Sequence, residues 1–219
     1  MKILLIFGVV CSAGFFYVEG HGTLREPPQR SSVWRDERFA SLNPTPNYDD
    51  GGLWCAGEKQ DYAAEACGVC GDGFSVARPR PNENGGTYAN GIITGRYRRG
   101  EEIPIAFELT AQHNGYFSVQ ICDDLTLESH ECFQRRGFLP LAGGTTTKID
   151  VTNRQGFVNT TVQLPPDLSC QYCVLRLYYR SCKDWGECDG VCDCPNPPGA
   201  MCCGPQEVVL NCADISVSL

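Results

Sequence analysis

The stretch EIPIAFELTAQHNGYFSVQIC, residues 102–122, decides the fold. Ile103, Ile105, Phe107, Leu109 and Ala111 share one parity, while Glu108, Thr110 and Gln112 hold the other. Successive side chains leave a strand on opposite sides, so this alternation predicts a strand with one face on a core and one in water. His113 continues the apolar parity at the strand's end. Asn114-Gly115 is a hairpin signal, and Phe117, Val119 and Ile121 alternate on the strand that follows. A two-residue turn would put Ser118 and Gln120 on the core face, so the pattern predicts a hairpin with a longer, odd-numbered loop. His113 then stands near solvent, where a core face runs out.

Working outward, further strands are predicted at 157–164, at 173–179 with Leu175, Leu177 and Tyr179 inward, and at the end of the chain, where Val209, Ala213, Ile215, Val217 and Leu219 share parity. Short alternating strands between turn signals predict an all-β fold, an antiparallel β-sandwich. Residues 21–100 are rich in Pro, Gly, Asn and Asp, a composition that favours loops, with one short helix expected around 61–66.

Residues 1–20 carry Lys2, an apolar run over 3–10 and then Val18-Glu19-Gly20, the layout of a secretory signal peptide. Removing it leaves 21–219 as an expected single domain, secreted, extracellular and monomeric. No later apolar run approaches the roughly 20 residues of a membrane helix. Loss of Cys11 takes the cysteines from 15 to an even 14, which predicts up to seven disulfides stapling irregular loops. Cys188, Cys192, Cys194, Cys202 and Cys203 crowd one such loop. The sequon Asn159-Thr160-Thr161 predicts a glycan on a surface. A net charge of −8 argues against nucleic acid and against an anionic membrane as partners, because both need a basic footprint.

The three histidines are His21, His113 and His130. A cut before His21 gives one residue an α-amine and a ring nitrogen, which together chelate a metal. The amine has an ordinary pKa of about 7.7–8.0, so a metal displaces its proton at modest cost near neutral pH. A second imidazole completes a planar three-nitrogen set that suits Cu(II), whereas zinc prefers a tetrahedron. His113 is the candidate for that imidazole, and His130, between an acid and a cysteine, reads as a loop histidine. The pairs Cys67-Cys70 and Cys170-Cys173 are each CxxC, but they stand too far apart for a zinc knuckle and lack the βαβ setting of a redox motif. No GxSxG, P-loop or HExxH occurs. Asp49-Asp50 and Asp123-Asp124 read as solvated turns, since neighbouring side chains on a strand point apart.

Five blocks in order carry a resemblance: HGTLREPPQRSSVWR from His21, NYDDGGLWCAG from Asn47, GRYRRGEEIPIAFELTAQHNGYFSVQIC from Gly95, LPPDLSCQYCVLRLYYRSCKDWGECDG from Leu164 and CCGPQEVVLNCADISVSL from Cys202. Together they resemble the lytic polysaccharide monooxygenases, copper enzymes with a histidine brace, and most closely the animal-type, auxiliary activity family 15-like branch.

The resemblance implies an immunoglobulin-like or fibronectin-III-like sandwich with one copper ion held by His21 and His113, and with Ala111 packing on one axial side. It also implies an external electron donor, O2 or H2O2 as co-substrate, and oxidation at C1 or C4 of an insoluble polysaccharide, with chitin favoured and cellulose the other candidate. The family places Tyr or Phe five residues before the Asp of the final strand. Counting back from Asp214 gives Val209, whose parity with Ile215 and Val217 also suits a core position. Tyr48, Trp54 and Tyr116 are candidate sugar contacts, each equally readable as packing. A non-catalytic chitin- or cellulose-binding protein that keeps the fold and the copper, and a copper carrier, are the competing readings.

Overall fold

The computed structural model describes residues 22–57, 59–60, 66–124, 126, 128–187 and 198–219. The signal segment, His21, most of the helix expected at 61–66, and Cys188, Cys192 and Cys194 lie outside the described residues.

The strands in chain order are β1 (Gly22–Glu26), β2 (Lys59–Gln60), β3 (Gly95–Arg98), β4 (Glu102–Leu109), β5 (Tyr116–Cys122), β6 (Ile149–Asp150), β7 (Gly156–Gln163), β8 (Cys170–Arg180), β9 (Trp185–Glu187), β10 (Gly199–Met201) and β11 (Gln206–Ser218). A short helix, α1 (His130–Arg135), and 3-10 turns at Arg30–Arg35 and Glu37–Leu42 sit between them. One sheet runs β1-β4-β7 and the other β2-β11-β8-β5-β6, with β9 and β10 forming a separate hairpin. The pairing is antiparallel except that β3 lies parallel to β11. Ile103, Ile105, Phe107 and Leu109 from the first sheet meet Phe117, Val119, Ile121, Leu175, Leu177, Tyr179 and Ile215 from the second in one core. Burying each such side chain contributes roughly 1.5–3 kcal/mol, so the alternating face holds the sheets together.

Two expectations are corrected. β4 and β5 are not hairpin partners: β4 pairs with β1 and β7, β5 with β6 and β8, and Asn114-Gly115 carries the chain from one sheet across to the other. Leu219 is 80% exposed, because β11 ends at Ser218 and no strand faces the residue beyond it.

The outer face of the large sheet is also covered. Val69, Cys70, Cys132 and Phe133 pack on Cys122, Val174 and Cys212, which is why β8 and β11 are buried on both sides. These covering loops are stapled by Cys55–Cys67, Cys70–Cys212 and Cys122–Cys132; Cys170–Cys173 and Cys182–Cys202 close two more links. The first CxxC is therefore split between two disulfides, and the second is closed on itself.

Candidate metal centre

His113 lies just beyond β4, in the crossing between the sheets. Asn114 (φ 51°) and Gly115 (φ 91°) both take left-handed backbone conformations there, which Asn tolerates and Gly adopts freely. Three successive carbonyls of the crossing are each held, two from β8 and its exit and one from the residue after β6. The Cys182 N–H donates to His113 O (2.8 Å), the Tyr179 hydroxyl to Asn114 O (2.7 Å), and the Val151 N–H to Gly115 O (3.0 Å). The backbone under the imidazole is thereby fixed.

The His113 side chain is 12% exposed. Its Nδ1 is buried and faces Glu207 Oε1 at 3.6 Å, while Lys183 Nζ pairs with the other oxygen of that buried carboxylate. Burial by itself would raise the Glu207 pKa. The neighbouring His113 and the paired Lys183 outweigh it and hold the carboxyl below its usual range.

Gly22, the residue bonded to His21, opens β1 opposite Leu109, four positions before His113 in the chain. Two contacts hold β1 at this end. The Leu24 N–H donates to Oδ1 of Asn211, a fully buried amide on β11, at 2.8 Å. Gly22 also lies so close to the Phe107 ring that an added Cβ would overlap it. The strand that continues from His21 thus begins at the edge of the sheet that ends beside His113.

The remaining candidates are distributed around this point. Ala111 is buried two residues before His113. Val209 is 1% exposed, in the core, and in register with Tyr179. His130 opens α1 with both ring nitrogens engaged, Nε2 with Cys67 O at 2.9 Å and Nδ1 with the Arg176 guanidinium at 3.3 Å. Asn159 is exposed on β7. Tyr48 is exposed and stands edge-on to Trp34, Trp54 packs against the core, and Tyr116 lies under Lys148 Nζ. Asp50 corrects the solvated-turn reading: it is buried and ion-paired with Arg25 and Arg35. Asp123 pairs with Arg136.

Among the described residues no group of three or more His, Cys, Asp and Glu could hold a metal, and of the two candidate histidines only His113 is among the described residues. Glu207, Asn211 and Cys182 are the site-building residues that periodicity does not reveal. An acid opening the apolar run EVVL was the one available signal for Glu207.

A family model described as lytic polysaccharide mono-oxygenase, cellulose-degrading, matches residues 21–215. No curated protein matches the chain. Among solved structures, the chain is similar to a lytic polysaccharide monooxygenase AA15 from Thermobia domestica in the Cu(I) state. That likeness has 35% identity and a TM-score of 0.76, covering 90% of this chain and 99% of that one. A chitin binding domain from Burkholderia pseudomallei shares the fold at 12% identity and a TM-score of 0.53, covering 91% of this chain and 100% of that one.

Proposed function

The chain belongs to the lytic polysaccharide mono-oxygenase family and is a copper-dependent oxidoreductase, and from that premise we propose that His21 and His113 hold its one copper ion for attack on crystalline chitin. In this reading the chain is exported, trimmed to His21 and glycosylated at Asn159. The three disulfides that staple the covering segments suit an oxidising, extracellular setting.

The observation that carries the reading is the setting of His113, an imidazole on a pinned crossing with a buried carboxylate facing Nδ1. An imidazole that binds a metal keeps a lone pair on one nitrogen and has the other fixed by an acceptor. In this reading Glu207, which faces Nδ1 at 3.6 Å and is itself paired with Lys183, orients the ring so that Nε2 would be left for the metal. The amine and ring of His21 bring the donor set to three nitrogens, which suits copper.

When bound, copper supplies the one-electron chemistry by which an external electron donor and O2 or H2O2 oxidise C1 or C4 of a sugar and break the chain. The protein's part is positional. β1 starts one residue after His21 and the crossing fixes the backbone of His113, the two residues that would hold the metal. Ala111, buried two residues before His113, would add no more than a methyl there, and Val209 packs in the core in register with Tyr179.

Removing the carboxylate that faces His113 has a measurable cost. Glu207→Ala is expected to weaken copper binding by about 10–100-fold, the range seen for partners of metal-bound histidines, and Glu207→Gln, which keeps an acceptor oxygen but loses the charge, by less. Titration calorimetry with an EPR spectrum checks this, and parental affinity and spectrum in both variants would remove Glu207 from the site.

The function itself is tested by mass spectrometry of sugars released from chitin and cellulose by copper-loaded protein with ascorbate, alongside N-terminal sequencing. Oxidised oligosaccharides from chitin that depend on copper and reductant are expected. None from either polymer, with His21 first and copper bound, would replace the enzyme with a binding protein.

A further inference from the structure

The solvent face of the small sheet departs from the polar pattern expected of a face in water. β7 is the outermost strand of β1-β4-β7, and its Val158 and Val162 are buried, so Phe157, Asn159 and Thr161 point the other way. Phe157 is 61% exposed, which leaves most of a large apolar ring in water. Asn159 is exposed beside it, about 7 Å along the strand. Across on β4 the register sets Ala106 opposite Asn159 and Pro104 opposite Thr161, two short side chains that cannot fold over their partners. Glu108, opposite Phe157, is paired with Arg25 on β1.

β7 also leaves backbone open. The Ala142 N–H donates to Thr161 O (3.0 Å) and the Gln163 N–H to Pro140 O (2.9 Å), so the segment 140–142 covers the outer edge of β7 near its end. In an antiparallel strand the backbone groups of every second residue turn to the same edge, so those of Phe157 and Asn159 turn to this one too. Among the described residues no backbone group meets them there. An open edge beside an exposed phenylalanine is a template for pairing with another chain.

We propose that an N-glycan on Asn159 is seated on this patch: its first N-acetylglucosamine lays its apolar face on the Phe157 ring, and the sugars beyond it screen the open edge of β7. The inference rests on the reading of Asn159-Thr160-Thr161 as an occupied sequon, for which an oligosaccharide linked to a lipid diphosphate is the donor. The Asn159 amide nitrogen bonds the anomeric carbon and gives up one proton, the bond from sugar to diphosphate breaks, and the lipid diphosphate leaves. A pyranose with equatorial substituents presents a flat face of C–H groups, which matches the face of an aromatic ring. Because the sugar is tethered two residues from that ring, on the same face of the strand, it meets the ring at a high effective concentration. Ala106 leaves the space above its side of the sheet free for the sugar.

The test is a cycle of thermal melts on protein exported from a eukaryotic host, with peptide mass spectrometry reading the occupancy of Asn159. The parent and Phe157→Ser, each with its glycan trimmed to the first sugar, are compared with the same chains carrying Asn159→Gln. With Phe157 in place, loss of the sugar is expected to lower the midpoint by about 2–4 °C, the shift of one modest contact in a chain of this length. In Phe157→Ser the same loss should lower it by less than about 1 °C, and Phe157→Tyr, which keeps a ring, should restore the larger shift. Asn159→Gln should also scatter more light on heating than the untrimmed glycoprotein, and equal scattering would remove the edge from the proposal. Equal shifts with and without Phe157, at full occupancy, overturn the seat and leave the glycan standing. An unoccupied Asn159 in the exported protein overturns both.

Discussion

Replacing His113 with alanine is expected to remove copper-dependent oxidation of polysaccharide and to weaken copper binding by more than the roughly 10–100-fold assigned to partners beyond the ligands. On the proposed ligand set, loss of His113 would leave only the amine and ring of His21 to hold the metal. The fold should survive. The crossing is held by backbone bonds to Cys182, Tyr179 and Val151, which a change of side chain leaves in place, and Glu207 keeps Lys183 as its partner. Titration calorimetry and EPR read the metal, and a thermal melt reads the fold. Retained affinity with an unchanged spectrum would show that copper is held elsewhere. His130→Ala is the matched control. It should leave the copper spectrum untouched, because both nitrogens of His130 are engaged with Cys67 O and Arg176 on the outer face of the large sheet.

The second large effect concerns stability. Arg30→Met should destabilise the protein by about 3–5 kcal/mol, the cost of removing one partner from a buried ion pair. The Arg30 guanidinium bonds both oxygens of Asp214 and both of Glu128, and donates to Asn82 O at 2.8 Å. All three charged side chains are buried. Burial alone would lower the Arg30 pKa, yet Asp214 and Glu128 together raise it, so the cation is held firmly between two anions. Without it, two carboxylates face each other away from water. The midpoint of thermal unfolding should fall by roughly 10 °C. A fall within about 1 °C would mean that the two acids find other partners. Because Arg30 ties the turn after β1 to β11, copper binding well below the melt should persist, which separates this variant from His113→Ala.

Much of the sandwich was legible in the alternation of 102–111, since Ile103, Ile105, Phe107 and Leu109 all face the core. Partner choice was not. Asn114-Gly115 has the local chemistry of a hairpin turn, and the same positive-φ tolerance serves equally well in a crossing between sheets. Nor does the alternation on β5 mean that one face is wet. Ser118 and Gln120 are buried as well, Gln120 against Phe133 O and Arg176. Asp50 misled for a related reason: adjacent acids look like a solvated turn until Arg25 and Arg35 arrive from two other segments.

By itself, then, the sequence determined the strand faces, the family, an even set of cysteines after the expected cut, and the two histidines worth pursuing. These are properties of residue type and short spacing, which a chain expresses locally. Only the tertiary structure decided which sheet each strand joins, that Glu207 and Lys183 stand behind His113, that Asn211 reaches across the core to β1, and that β7 lies at a sheet edge with Ala106 across from Asn159. Such partners are distant along the chain. They meet because apolar faces must be buried together and because a charge carried into that burial must be met by another.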